Sequence, residues 1–282
     1  MTMGLRINTN VSSLNAQRHL FNTTNRYAKS MERLSSGMRI NRSGDDAAGM
    51  AISEGLKSDI RALQQASRNA ADGISMVQTA EGSLDEVNNI LLRLRELAQQ
   101  SATETLGAPE RDYLNQEYLE LLDEIDRISL TAEFNGTKLL DGSAGLMNVQ
   151  VGIGTDVTTS AVTIDLSGPM SSADLGLVTA NGISGINGDN GRTAIGLIEN
   201  ATSTVSSMRA GFGAAQNRFE TSIRNIGMTA ENLSAANSRI RDVDVALETS
   251  NMTSLQILQQ AGVSILGQAN LAPQAALSLL QR

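Results

Sequence analysis

From Asp45 to Leu106 the chain reads DDAAGMAISEGLKSDIRALQQASRNAADGISMVQTAEGSLDEVNNILLRLRELAQQSATETL. Apolar or small side chains recur at alternating steps of three and four: Ile60, Leu63, Ser67, Ala70, Ile74, Val77, Leu84, Leu91, Leu94, Ala98 and Ser101, with Glu81 and Asn88 as polar interruptions. Such spacing keeps one stripe of an α-helix in line over the whole run. Ser43-Gly44-Asp45-Asp46 opens it, with Ser followed three residues later by an acid, which resembles a capping box. Gly107 predicts its end, and Pro109 suits the first turn of a following helix. At about 1.5 Å per residue the run is roughly 90 Å long. No compact domain of 282 residues needs such a helix.

Working outward, Ile7, Leu14, Phe21 and Ala28 recur every seven residues, with Val11 among them, and Met31, Leu34 and Met38 continue the stripe. A heptad stripe is a packing surface and requires a partner helix. After the long run, Leu114, Tyr118, Leu121, Ile125 and Ile128 mark a third helix that folds back antiparallel through Gly107-Ala108-Pro109. From about Thr131 to Asp189 the chain turns to Gly, Ser, Thr, Asn and Asp. Strand-like runs appear there at 147–151 and 161–166, and Asn135-Gly136 and Asp141-Gly142 read as hairpin turns. Helical spacing resumes at Ile195 and runs through Ile198, Val205, Phe212, Ala215, Phe219, Ile223, Ile226, Leu233, Ile240, Val243 and Leu247. It continues less cleanly through Leu258, Ala261 and Ile265 to Pro273, which predicts a kink or break.

The predicted fold is therefore mainly α: a long antiparallel helical hairpin, or coiled-coil rod, formed by both termini, with a small β-hairpin region in the middle of the chain. Residues 1–45 and 241–282 form a terminal coiled-coil layer in this reading, and residues 46–240 a helical body with the β insert at about 131–190.

Composition agrees. There is no Cys and no Trp, and aromatics make up 2% of a chain that is 40% hydrophobic. Apolar surface supplied by Leu, Ile, Val, Ala and Met favours helix-on-helix seams. The net charge of −8 argues against nucleic acid as a partner, since phosphate binding needs a positive surface. Residues 1–45 are locally basic, with seven Lys or Arg and two acids. An Arg- and Ser-rich start also matches a transit peptide, but the heptad stripe within it points to packing. No apolar run approaches the roughly 18 residues of a membrane span, so no membrane insertion is expected. The start lacks the apolar block of a signal peptide, so export, if it occurs, takes another route.

Chemistry is sparsely represented. His19 is the one histidine in the chain, which removes His-based triads and multi-His metal sites. Asp45 and Asp46 are adjacent, do not face each other on a helix, and fit a helix N-terminus better than a metal pair. Gly152-Ile-Gly154 lacks the third glycine of a dinucleotide fingerprint and reads as a turn. Asn-X-Ser/Thr matches are expected by chance in so Asn-, Ser- and Thr-rich a chain, and Met31 and Met38 suit core filling. No catalytic residue, metal site or cofactor is expected, and the reading is a structural protein and not an enzyme. A signalling rod of the chemoreceptor type would want a membrane anchor. A hydrolase in the middle segment would want the His or Cys that the segment lacks.

Several segments resemble bacterial flagellin: Arg33-Leu-Ser-Ser-Gly-Met-Arg-Ile-Asn41, Asp45-Asp-Ala-Ala-Gly49, Gln65-Ala-Ser-Arg-Asn-Ala-Ala-Asp-Gly-Ile74, Gln259-Gln-Ala-Gly-Val-Ser-Ile-Leu266 and Leu277-Ser-Leu-Leu-Gln-Arg282. The resemblance covers most of the first half of the chain and its last third, and the short middle corresponds to a minimal form without large outer domains. It implies a subunit that assembles into the flagellar filament, exported unfolded by the flagellar type III apparatus and added at the tip. The implied partners are other copies of the chain, an export chaperone, the filament cap and hook-filament junction proteins. The placement is extracellular, with a periplasmic filament left open, and a hook-filament junction protein is the alternative. Subunit packing is expected at Ile7, Val11, Leu14, Phe21, Val243, Leu247, Leu258 and Ile265. A second stripe, Ile90, Arg93, Leu97 and Gln100, lies beside the main seam, and Leu92-Arg-Leu-Arg-Glu-Leu-Ala98 resembles the flagellin segment bound by the animal Toll-like flagellin receptor. By that resemblance Arg93, Leu97 and, on the next helix, Glu117 are receptor-contact candidates in the monomer. Leu92 stands where the family usually has Gln.

Overall fold

The computed structural model describes residues 9–178, 182–185 and 188–280, with side-chain surroundings as far as Leu271. Its elements are α1 (Val11–Ser36), α2 (Ala47–Ser101), α3 (Ala108–Thr131), β1 (Glu133–Phe134), β2 (Thr137–Lys138), β3 (Gly145–Gln150), α4 (Val157–Ser160), β4 (Ala161–Leu166), α5 (Asp189–Arg241) and α6 (Val245–Leu280). This is the mainly helical architecture that the periodicity predicts, with long helices at both ends and a small β region between them. The chain forms two compact units, one of Met1–Ser58 with Asn232–Arg282 and one of Asp59–Glu231.

In the second unit the core is a heptad seam on α2. Leu63, Ala70, Val77, Leu84, Leu91 and Ala98 alternate with Ala66, Gly73, Ala80, Val87, Leu94 and Ser101, all buried. Glu81 and Asn88 are not interruptions of this seam. They flank it, because the inward positions are Ala80 and Val87, one residue earlier. The inward face of α5 carries Ala194, Ile198, Ala201, Val205, Phe212, Ala215 and Phe219, and α3 adds Tyr118, Leu122 and Ile125. Gly73 fits its place because the Phe219 ring lies over it: a Cβ there would meet the ring Cζ at 2.8 Å. Arg111, also buried, donates from Nε to the Ser101 carbonyl (3.0 Å) and from Nη2 to that of Thr103 (2.9 Å). It thus brings a cation to the carbonyls that the end of α2 leaves open. Tyr118 donates to the Leu177 carbonyl at 3.4 Å, and burial pushes its phenol up to about 12.

The β region is two separate antiparallel pairs. β1 and β2 are joined by Asn135-Gly136, both at positive φ (49° and 80°), as a tight two-residue hairpin requires. Asp141-Gly142 does not make a second hairpin. The Asp141 carboxylate accepts from the Ser143 amide, which closes a local turn ahead of β3. β3 pairs with β4 from Gly145↔Leu166 to Gln150↔Ala161. Gly152 and Gly154 lie in the connection, where their carbonyls accept from the Gln150 side chain.

In the first unit α1 lies antiparallel to α6, as contacts from Asn10 to Ala269 at one end and Ser30 to Glu248 at the other require. Three local expectations change here. The cap of α2 is Asp46, whose carboxylate accepts from the Gly49 amide at 2.9 Å, and not Ser43. The helical run through Val243 is broken at 242–244, where the Val243 amide donates to the Gly37 carbonyl (3.0 Å), the Arg39 amide donates to that of Arg241, and Asp244 caps α6. The heptad phase continues across this break, which is why periodicity alone does not reveal it. Finally, α6 runs on through Pro273 to Leu280 instead of ending there.

Candidate functional site

The face that α1 turns to α6 is Ser13, Ala16, Leu20, Thr23, Tyr27, Ser30 and Leu34, at strict three-four spacing. The opposing face of α6 is Glu248, Met252, Leu255, Gln259, Gly262, Leu266 and Ala269. This seam is largely small or polar. Ser13 donates to the Asn270 side chain (2.8 Å), the Gln259 amide reaches Thr24 (3.4 Å), and Leu20 packs where a Cβ on Gly262 would stand, 3.2 Å from its Cδ1. Ser30 donates to the Glu248 carboxylate at 2.5 Å, and Arg33 stands 3.9 Å from its other oxygen.

Apart from Leu34, the stripe read from the sequence is therefore not the seam between α1 and α6. Leu14 and Phe21 are 56% and 67% exposed, and Leu247, Leu258 and Ile265 are 62%, 56% and 57% exposed. Val11 is exposed as well, Val243 is half-buried in the break between α5 and α6, and Ile7 lies outside the described residues. Met31, which the spacing places in the stripe, is exposed too, and Ile257, Val263 and Leu271 are further exposed apolar side chains that the spacing does not single out. So many large apolar side chains left open on two paired helices mark an interaction surface. Each such side chain contributes about 1.5–3 kcal/mol when fully buried.

On the second unit the receptor candidates separate. Arg93 and Glu117 are exposed and joined at 2.7 Å, with Glu96 a second partner of Arg93 at 2.9 Å. Glu117 first, and then Glu96, hold the guanidinium more firmly protonated than usual. Leu97, expected as an apolar contact beside Arg93, is 1% exposed and belongs to the core. It sits one step from the seam residue Ala98 and is part of the same core. The exposed apolar neighbour on that surface is Leu92.

A lone chain whose long terminal helices leave large apolar side chains open outside their common seam is, as a class, a helical structural subunit built to be covered by further protein. Comparison with known proteins gives the family. The bacterial flagellin N-terminal helical region matches residues 7–145, and the bacterial flagellin C-terminal helical region matches residues 195–280. A flagellin of Halalkalibacterium halodurans is 46% identical over 98% of this chain and 99% of its own length. The flagellar filament 33 kDa core protein of Treponema phagedenis is 43% identical, and a flagellin of Bacillus subtilis 42% identical, each over 98% of this chain and at least 99% of its own. The chain belongs to the bacterial flagellin family and is a structural subunit of the flagellar filament.

Proposed function

We propose that the outward faces of α1 and α6 are where copies of this chain bind one another in the filament, through Val11, Leu14, Phe21, Leu247, Leu258 and Ile265, with Ile7 and Val243 at the ends of the stripe. The observation that carries this reading is the apolar surface the first unit leaves open: its inner seam is filled by a mixture of leucines with small and polar residues, while Leu14, Phe21, Leu247, Leu258 and Ile265 remain outside it, more than half exposed. Burial of that stripe by neighbours releases water from apolar surface, the main favourable term in association. In this reading residues 1–45 and 241–282 make the inner layer of the filament and residues 46–240 the layer around it, with the β insert at about 131–190. The chain is exported unfolded by the flagellar type III apparatus with an export chaperone, and it adds extracellularly at the tip beneath the filament cap, beyond the hook-filament junction proteins. The names of the relatives, flagellins and filament core proteins, favour this over the junction-protein alternative.

The test is seeded polymerisation followed by sedimentation and electron microscopy. Deletion of residues 1–40 or of 242–282 leaves soluble monomer, and Leu14→Asp raises the critical concentration far more than a substitution at exposed Thr159 of the β region. Normal filaments from either truncation would overturn the reading.

A second reading rests on the exposed Arg93–Glu117 pair. The monomer is a ligand of the host Toll-like flagellin receptor, with Arg93 and Glu117 as direct contacts and Leu97 acting from beneath by fixing the helix surface. Receptor signalling by purified monomer, compared with Arg93→Ala, tests it.

A further inference from the structure

The chain has eleven methionines but no Cys and no Trp, so the thioethers are the groups that a mild two-electron oxidant attacks first. Such an oxidant must reach the sulfur from solvent. Met76 and Met170 are buried in the core of the second unit, at 5% and 1% exposure. Among the described residues only two methionines are exposed, Met31 at 48% and Met228 at 61%.

The two exposed sulfurs stand in different surroundings. On a helix the neighbours of a side chain are the residues three and four positions away. For Met228 on α5 these are Arg224, Asn225, Glu231 and Asn232, all polar. For Met31 on α1 they include Tyr27, Ala28 and Leu34. Met31 also belongs to the helix that leaves Leu14 and Phe21 open, and it lies one residue beyond Ser30 of the seam with α6. A polar group added at Met228 joins a solvated surface, whereas one added at Met31 enters apolar surface that a neighbour must cover.

We propose that Met31 is an oxidation site that sets whether the free subunit can assemble, with a peroxide as the co-substrate. The proposal rests on the assembly reading above and adds a covalent control to it. A lone pair of Met31 Sδ attacks one oxygen of hydrogen peroxide, the S–O bond forms as the O–O bond breaks, and the departing hydroxide takes the proton of the transferred oxygen to become water. The sulfur is oxidised by two electrons and the peroxide is reduced by two. The product is a sulfoxide, polar and chiral where the thioether was apolar and flexible. Burying it against a neighbour requires a hydrogen-bond partner that apolar surface does not offer. In the filament the same contact covers Met31, so the free subunit is vulnerable and the assembled one is shielded. Enzymatic reduction of the sulfoxide reverses the block.

The experiment treats full-length monomer with hydrogen peroxide, removes the peroxide and follows elongation from wild-type seeds. The tryptic peptide Ser30–Arg33 gains one oxygen while elongation falls roughly tenfold. Circular dichroism and melting temperature stay at their untreated values, and methionine sulfoxide reductase restores growth. Met31→Leu, which keeps the apolar volume, elongates after peroxide as it did before. Met228→Leu remains as sensitive as the wild type. Met31→Gln, polar and of similar length, elongates poorly with no oxidant added. In preformed filaments the Ser30–Arg33 peptide oxidises several-fold more slowly than in monomer. Undiminished elongation of monomer oxidised at Met31, loss of growth by peroxide-treated Met31→Leu, or equal oxidation of that peptide in monomer and filament overturns the proposal, while growth of the untreated wild type leaves the assembly reading standing. Failure of untreated wild type to elongate would sink the assembly reading and this proposal with it.

Discussion

The hydroxyl of Ser30 donates to a carboxylate oxygen of Glu248 at 2.5 Å, and both residues are buried in the seam between α1 and α6. One hydroxyl and a long ion pair to Arg33 at 3.9 Å are what hold that charge. Removing one partner of a buried charge costs more than removing the whole group, because the charge remains without compensation. Ser30→Ala should therefore destabilise the filament by about 1–3 kcal/mol per subunit. Adding Glu248→Leu to it should return most of that loss. Thermal melting of assembled filaments reads both, and a Ser30→Ala filament that melts with the wild type would show that the contact contributes nothing.

Asp45 fastens the turn between α1 and α2. Lys29 approaches it at 2.6 Å, and the amides of Arg42 and Asn41 each donate to its other oxygen at 3.2 Å. Lys29 first, then the Arg42 amide, holds the carboxyl at about 2, below its ordinary 3.8. A lowered value in the folded chain means the ionised form is the one stabilised. The clasp is fully present above about pH 4 and is lost as pH falls toward 2. Following the Arg42 amide resonance in an acid titration should return that low midpoint. Asp45→Asn should abolish the titration and loosen the turn at neutral pH, and a midpoint near 4 would contradict the clasp.

Much of this was legible in the residues, and the reasons for the rest are physical. Half of the α2 seam, from Leu63 to Ala98 in steps of seven, follows from large side chains at regular spacing. The other half, Ala66, Gly73, Ala80 and Val87, carries little hydrophobic signal because it consists mostly of small residues, so the spacing was drawn instead to Ile60 and Ile74. On α1 and α6 the stripe itself was legible, but not what covers it. An apolar period says that a face must be buried and is silent on whether the same chain or another buries it. The seam that the chain closes by itself mixes Leu20, Leu34, Leu255 and Leu266 with small and polar residues, and Ser13, Ser30 and Glu248 have no hydrophobic period to reveal them. The break at 242–244 escaped for a similar reason, since backbone hydrogen bonds to Gly37 and Arg39 interrupt the helix while its heptad phase is preserved.

Gly73 tests whether small residues in that seam are there for steric reasons. A Cβ at this position would stand 2.8 Å from Cζ of Phe219, with the other ring carbons at 3.1 and 3.2 Å. Phe219 is fully buried, so the ring has little room to withdraw. Gly73→Ala should destabilise the monomer by about 1–3 kcal/mol despite the better helix propensity of alanine. Gly82→Ala, where nothing lies within 4 Å, should stabilise it slightly. Chemical denaturation of the two variants separates the cases, and equal effects at both sites would refute the steric account.

Leu97 and Arg93 sit one helical turn apart on α2, but substitutions at the two act by different routes. Leu97 is buried against the core, so Leu97→Ala opens a cavity and should cost about 2–5 kcal/mol of monomer stability. Arg93 is exposed, and its ion pairs to Glu117 and Glu96 lie in solvent, so Arg93→Ala should change stability by less than about 1 kcal/mol. A loss of receptor signalling in Leu97→Ala would therefore not identify a contact until the variant's folding had been measured. Arg93→Ala carries no such ambiguity. The informative comparison is Arg93→Ala, Glu117→Ala and Leu97→Met, the last keeping the volume of the core. If the contact is made by the exposed pair, the first two lose signalling with unchanged melting temperature and Leu97→Met keeps both. Full signalling from the Arg93→Ala, Glu117→Ala double variant would remove this surface from the receptor reading.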